Sequence, residues 1–253
     1  MAMSLQWQRP GSLDVLAPAM QRGRFRTWIS AVLKRPLVLL RKRTEAWRIH
    51  EALYQQLNTS TPLDRPNDGM ARFVDHILHA CRSRPVRYLE IGACEGHSVA
   101  FVHAILKGAV LITVVDPWTD GAEIDSTTMR GAFAKFSANV AAIGAKDRVR
   151  ALVGRSMDHL PKLIDAGERF DIIYIDGSHA TLDVMLDAAL CWRLLRSGGL
   201  MIFDDYWYRR TDIGPGFRPK LAIDGFVGAM GHEIEVLDVG RQVFLRKKAS
   251  AGA

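Results

Sequence analysis

From residue 86 onward, short apolar runs rich in β-branched residues alternate with segments of helical length. The strand-like runs are VRYLEI (86–91), VLITVVD (110–116), RVRALVG (148–154), FDIIYID (170–176) and LMIFDD (200–205). Parallel strands need a long crossover connection, usually a helix, so this alternation predicts an α/β fold with a doubly wound parallel sheet. In such sheets small ligands bind at the carboxyl ends of the strands.

The connecting segments supply the predicted helices. These are 70–83, 98–106, 127–144, 157–167, 180–196 and 219–230. In the fifth of them Leu182, Met185, Leu186 and Ala189 recur at helical spacing, and Ser197-Gly198-Gly199 is a helix-stop signal. The stretch 232–248 reads as two strands joined by a tight turn near Gly240.

The chain divides into three parts by charge and composition. Between residues 20 and 50 nine Lys or Arg side chains face one Glu, so this stretch accounts for the net charge of +7. We predict a basic, partly helical extension over 1–69, one domain over 70–248 and a flexible tail over 249–253. The stretch 22–48 could contact an anionic membrane surface, cover the site, join subunits of a homo-oligomer or form a solvated helix. No nucleic-acid-binding module is recognisable.

The cysteines and the apolar runs suggest a compartment. The three cysteines show no paired spacing, which favours reduced thiols and a cytoplasmic location. We predict neither a signal peptide nor a membrane-spanning helix, because no apolar run is long enough.

The stretch YLEIGACEGHS (88–98) joins the first strand to its helix through a turn with two glycines. Gly92 and Gly96 allow a ligand to approach the backbone, and Ser98 lies at the start of the helix. Glu90 and Glu95 would repel a pyrophosphate but suit a ligand with an ammonium or sulfonium group. This favours S-adenosylmethionine over NAD as the ligand, and the alternative is a purely structural turn with surface acids.

Three further residues are candidates for contacts with an adenosine group. Asp116 ends the second strand, where an acid can accept hydrogen bonds from both ribose hydroxyls. Trp118 could cover the adenine or serve in packing. Ser156, just after the third strand, could lie near the adenine or cap the helix that follows.

An acidic cluster follows the fourth and fifth strands. Asp176 ends YIDGSH, and Asp204 with Asp205 ends IFDDY. Neighbouring strands lie ~4.8 Å apart, so these carboxylates would repel each other unless they are protonated or neutralised, and a cation such as Mg²⁺ would neutralise them. Asp176 or His179 could be the catalytic base near neutral pH. The alternatives are solvated loop acids and a histidine that flanks the next helix.

These motifs resemble those of the class I S-adenosylmethionine-dependent methyltransferases over roughly residues 70–247. The matching stretches are YLEIGACEGHS, VVDPW and FDIIYIDGSH with LLRSGGLMIFDDYW. The chain is similar to the branch that includes macrocin O-methyltransferase and the cephalosporin-hydroxylase and rhamnosyl-methyltransferase relatives. The resemblance implies a Rossmann-like seven-stranded sheet of order 3-2-1-4-5-7-6 with strand seven antiparallel.

The resemblance also implies an activity and a ligand set. It implies Mg²⁺-assisted methylation of a hydroxyl on a sugar or glycosylated natural product, with the metal on Asp176, Asp204 and Asp205. The stretch between the second strand and its helix is short, so a lid would come from elsewhere, such as the extension. Arg209, Arg210 and Arg218 in the 207–218 loop leave the acceptor open.

Two other functions remain compatible with the sequence. A nicotinamide-dependent oxidoreductase or epimerase would bind NAD, but it requires a third closely spaced glycine that the turn lacks. A non-catalytic protein could keep the fold and dock through its basic arm, and it would tolerate replacement of the acids.

Overall fold

The structure is a computed structural model, and it describes residues 45–53, 55–57, 68–80, 85–119, 131–208 and 214–249. The described part begins with helix α1 (45–53). The proposed membrane or subunit contact over 22–48 therefore lies almost entirely outside the described residues. The last four residues of the predicted tail lie outside them as well. Within the described ranges, no helix has the length and apolar character needed to cross a membrane.

Seven strands form one sheet. They are β1 (Val86–Ile91), β2 (Val110–Asp116), β3 (Val149–Val153), β4 (Phe170–Ile175), β5 (Leu195–Phe203), β6 (Ile234–Val239) and β7 (Val243–Lys247). Their order is β3-β2-β1-β4-β5-β7-β6, and only β7 runs antiparallel to its neighbours. The Rossmann-like α/β fold and strand order expected from the sequence are thus confirmed.

Helices cover both faces of this sheet. They are α2 (Asp68–Ala80), α3 (His97–Ile105), α4 (Ala132–Ala142), α5 (Ser156–Asp165), α6 (Thr181–Leu194) and α7 (Pro219–Met230), with a 3-10 turn at Lys146–Arg148. Tyr88 and Leu89 illustrate the arrangement. Tyr88 packs in one apolar cluster with α2, α3 and α4, whereas its neighbour Leu89 packs in a second with α5, α6 and α7. Alternate side chains of a strand point to opposite faces, so a central parallel strand needs apolar residues on both faces.

The fifth strand begins earlier than the sequence predicts. Helix α6 ends at Leu194, and β5 runs from Leu195 through the Ser-Gly-Gly stretch expected to stop the helix. The pairing of β5 with β4 shifts register between Phe170 and Ile172. At Gly199 an added Cβ would lie only 2.8 Å from the Arg196 carbonyl oxygen. The absence of a side chain therefore permits the close backbone approach at this irregularity.

The helix predicted over 180–196 is confirmed as α6, but most of the apolar residues noted at helical spacing are not the ones that it buries. Leu182 is 78% exposed and Leu186 also faces outward, whereas Val184, Ala188 and Cys191 are buried. The helix carries two apolar stripes, and periodicity alone does not say which one meets the sheet. Helix α6 packs against α5 and α7 on its flanks, and these contacts select the second stripe.

Candidate active site

A cavity of about 600 Å³ opens at the carboxyl ends of β1, β2 and β4. It is lined by backbone and side chains that follow these strands, by the start of α5 and by α6. Five of the predicted site residues line it: Gly92, Ser98, Asp116, Ser156 and Asp176. The other six lie outside the lining: Glu90, Gly96, Trp118, His179, Asp204 and Asp205. The sheet edge predicted to hold the ligand therefore carries a cavity of ligand size.

Gly92 and Gly96 both have left-handed backbone conformations, with φ of 83° and 84°. A Cβ on Gly92 would lie 2.2 Å from the carbonyl oxygen of Asp176. A Cβ on Gly96 would meet the ring of Phe136 at 2.9 Å. The bare backbone at Gly92 thus lets the β1 turn press against the β4 turn, a role that the sequence did not suggest.

Asp116 ties the glycine turn to the end of β2. Its Oδ2 accepts hydrogen bonds from the backbone N–H groups of Ala93 (2.8 Å) and Cys94 (2.9 Å), and its Oδ1 accepts one from Trp118 (2.6 Å). The carboxylate is nearly buried yet lines the cavity. Each carboxylate oxygen has two lone pairs, so one acceptor site, on Oδ1, remains for a ligand hydroxyl.

Trp118 lies behind the glycine turn. Its Nε1–H donates to the Cys94 carbonyl oxygen at 2.7 Å, and its ring packs against Phe133 and Phe136. These contacts correspond to the packing alternative considered for this residue. A contact between Trp118 and an adenine stays a prediction.

Glu90 is fully buried beneath the same turn. Its carboxylate accepts hydrogen bonds from the Tyr88 hydroxyl at 2.7 Å and from the Ser98 hydroxyl. Burial raises the pKa of Glu90 to about 7, although both hydrogen bonds act in the opposite direction. Glu90 therefore supports the turn from below, and its direct contact with a ligand stays a prediction.

We expect Glu90→Gln to flatten the pH dependence of stability. The folded protein retains the proton on Glu90 up to about pH 7, whereas the unfolded chain releases it near pH 4.5. The folded state thus binds more protons in this interval, and wild-type stability falls as pH rises through it. The loss is on the order of 3 kcal/mol.

The measurement is the free energy of unfolding by urea at pH 5 and pH 8. The Gln variant should lose less stability than the wild type between these values. Replacement of the exposed Glu51 by Gln is the control and should leave the wild-type pH dependence intact. An unchanged pH dependence in Glu90→Gln would contradict the assigned burial effect.

Asp176, His179 and Asp205 come together at the β4–β5 edge. One potential ligand atom from each lies within 4.8 Å of the others. His179 Nε2 lies 2.9 Å from Asp205 Oδ2, and the imidazole stacks on the Tyr208 ring at 3.9 Å between centroids. Asp205 has a left-handed φ of 52°, a strained conformation typical of functional sites. His179, proposed as a base, is thus oriented by two neighbours.

Asp204 lies beside this group but is not one of its three residues. Its Oδ2 accepts hydrogen bonds from the Tyr174 hydroxyl and from Gln242 Nε2, the latter at 3.1 Å. Its Oδ1 accepts one from the Asp205 backbone N–H at 2.7 Å. The Tyr174 hydroxyl also lies 3.2 Å from Asp176 Oδ2, so it bridges the two acids. Asp204 as a metal ligand stays a prediction.

The acids of this group have opposite pKa shifts. Burial and the charges of Asp204 and Asp205 raise the pKa of Asp176 well above its usual value. Burial also raises the pKa of Asp205, but the hydrogen bond from His179 and the Arg241 charge outweigh it, and the net shift is downward. Such a set of oxygen ligands and one imidazole suits a divalent cation, which would remove the repulsion on Asp176.

The sequence analysis missed several residues of this site. Tyr174 and Gln242 hold Asp204, Tyr208 stacks on His179, and Asp187 on α6 lines the cavity. Tyr174 precedes Asp176 by two residues and so shares its face of β4, a signal that could have been used. The others come from distant parts of the chain, and no local pattern marks them.

Comparison with known proteins gives a consistent family. Residues 89–206 match the family model described as "Methyltransferase domain". The O-methyltransferase hkm8 of Aspergillus hancockii is 33% identical over 132 residues, which cover 52% of this chain and 47% of that protein. The chain therefore spans about half the length of the curated relative that it matches.

Solved structures share the fold at low identity. The O-methyltransferase from Bacillus cereus in complex with SAH has a TM-score of 0.54 and 16% identity, over 82% of this chain and 90% of that one. The MycE methyltransferase of the mycinamycin biosynthetic pathway, in complex with Mg, SAH and mycinamycin VI, has a TM-score of 0.55 and 18% identity, over 82% and 56%. Together with the family match, they confirm the resemblance predicted from the sequence.

Proposed function

We propose that this chain is a class I S-adenosylmethionine-dependent methyltransferase that methylates a hydroxyl group of a small molecule. The observation that carries the proposal is the cavity at the β1, β2 and β4 ends, with Asp116 in its wall and the Asp176–His179–Asp205 group beside it. The acceptor class that we propose is a sugar or a glycosylated natural product, which is supported by the Mg- and mycinamycin-bound neighbour.

The donor would lie along the cavity from the glycine turn to α5. Asp116 would accept a hydrogen bond from a ribose hydroxyl through the remaining lone pair of Oδ1. Ser98 and the backbone beyond Gly92 would contact the methionine part. The methyl group would then face Asp176, whose turn presses against Gly92.

Proton removal would fall to His179. The acceptor oxygen attacks the methyl carbon in line, the carbon–sulfur bond breaks, and its electron pair returns to the sulfur. The hydroxyl proton passes to His179, which Asp205 and Tyr208 hold in a fixed orientation. Most of the rate gain would come from alignment of the two reactants.

Asp176, Asp204 and Asp205 would hold Mg²⁺, with the Tyr174 hydroxyl fixing Asp204 beside Asp176. A bound Mg²⁺ would orient the acceptor hydroxyl and lower its pKa. Asp176 would become fully ionised in this state, because the cation offsets the burial and the repulsion that raise its pKa.

The test is calorimetric titration with S-adenosylhomocysteine, with and without Mg²⁺, and with NAD as the control ligand. The proposal predicts tight binding of S-adenosylhomocysteine, a separate Mg²⁺ signal and no binding of NAD. Preference for NAD would support the oxidoreductase alternative. Binding without turnover on any hydroxylated acceptor would support a non-catalytic role.

We expect Tyr174→Phe to weaken metal binding about tenfold, a typical effect of losing a residue that positions a metal ligand. The hydroxyl holds both Asp204 and Asp176, and the variant leaves the ring packing in place. Mn²⁺ titration followed by electron paramagnetic resonance measures the affinity. S-adenosylhomocysteine binding serves as the internal control and should not change, and an unchanged Mn²⁺ affinity would exclude the positioning role.

A further inference from the structure

Asp187 is a buried acid in the wall of the donor cavity. It lies on the second turn of α6, is 3% exposed and belongs to the cavity lining. Its Oδ1 is buried and has no hydrogen-bond partner among the described residues. A buried polar atom without a partner is costly, so its presence calls for an explanation beyond stability.

Ser156 is the neighbour that engages this acid. The serine begins α5, also lines the cavity, and its hydroxyl forms a side-chain hydrogen bond with Asp187. Burial raises the pKa of Asp187 to about 7, and the bond from Ser156 opposes this shift. One oxygen of the carboxyl group is thus held by the protein, and the other remains available.

The position of Ser156 and Asp187 within the cavity indicates which part of a bound donor they would contact. If the methyl group faces Asp176 and the ribose lies on Asp116, the adenine occupies the end of the cavity toward the start of α5. Ser156 and Asp187 bound that end. The exocyclic amino group of adenine is a hydrogen-bond donor, and a carboxylate oxygen is its natural acceptor.

We infer that Asp187 is a specificity residue for the donor, accepting a hydrogen bond from the exocyclic amino group of adenine while Ser156 holds the carboxylate in place. The inference rests on the proposed function. Asp187 would recognise the adenine base, whereas the residues proposed above contact the ribose and the methionine part. A donor analogue with a carbonyl oxygen at this position would face the carboxylate with a second acceptor and would bind poorly.

The experiment compares S-adenosylhomocysteine with S-inosylhomocysteine by calorimetry on the full chain. The wild type should prefer the adenosyl ligand by on the order of tenfold or more, because the inosyl ligand leaves a buried acceptor unpaired. Asp187→Asn should bring the ratio close to one, since an amide offers both a donor and an acceptor. A general structural role would weaken both ligands alike and leave the ratio unchanged.

Two controls make the outcomes distinct. Asp165→Asn removes the same charge from an exposed position at the end of α5, outside the cavity lining, and should keep the wild-type ratio. Should Asp187→Asn fail to fold, the N6-dimethylated analogue tests the wild type directly and should bind as poorly as the inosyl ligand. Equal binding of the adenosyl and inosyl ligands by the wild type would overturn the inference alone. Failure to bind S-adenosylhomocysteine at all would overturn the proposed function.

Discussion

Replacement of Asp176 by Asn is expected to lower turnover by on the order of 10³-fold while S-adenosylhomocysteine still binds. Asp176 is buried, and the negative charges of neighbouring acids raise its pKa. It lines the cavity and lies close to both His179 and Asp205. The amide keeps the size of the side chain but removes the charge that a cation would balance. Metal binding and acceptor alignment should therefore fail together.

The measurements are single-turnover methyl transfer, Mn²⁺ titration and calorimetry with S-adenosylhomocysteine. The matched control is Asp165→Asn, which changes an exposed acid at the end of α5 and should retain wild-type values. Full turnover in Asp176→Asn would remove this residue from the proposed mechanism. Loss of donor binding as well would mean that the variant perturbs the glycine turn, which Gly92→Ala tests separately.

Replacement of Gly92 by Ala is expected to destabilise the fold by about 3 kcal/mol or more, because a strained backbone combines with a steric clash. The new Cβ would have to displace the Asp176 carbonyl, which lies 2.2 Å away and belongs to backbone. Both turns would then move apart at the centre of the site. The expected result is a lower urea midpoint with an unchanged slope.

Gly167→Ala provides the control for this prediction. Its φ of 69° is also left-handed, but nothing lies within 4 Å of the added Cβ. The control therefore measures the backbone strain alone, about 1 kcal/mol. Equal losses of unfolding free energy in the two variants would show that the clash at Gly92 adds nothing to the backbone strain, and would contradict the prediction.

The sequence predicts the sheet and part of the site well, because the candidate ligand-binding residues lie at the ends of recognisable strands. The parallel strands are mostly apolar, and residues that can meet a ligand lie at or just beyond their carboxyl ends, at Gly92, Asp116 and Asp176. The alternation of strands and helices then brings these residues to one edge. Five of the predicted site residues line the cavity for this reason.

The remaining features depend on contacts that no local pattern contains. His179 meets Asp205 across 26 residues, and Asp204 is held by Tyr174 on β4 and by Gln242 just before β7. The exposed position of Leu182 follows from the flanking helices rather than from periodicity. Tertiary packing determines these side-chain partners and the buried face of a helix, and a hydrophobic pattern in the sequence does not.

The three backbone N–H groups held by Asp116 have a thermodynamic consequence. They fix the glycine turn before any ligand arrives, so the turn should lose little conformational entropy when a ligand binds. The heat-capacity change on binding would then reflect only the apolar surface that the ligand covers, without a contribution from folding of the turn. The affinity of this side of the cavity for a ligand would then be set by contacts rather than by ordering of the turn.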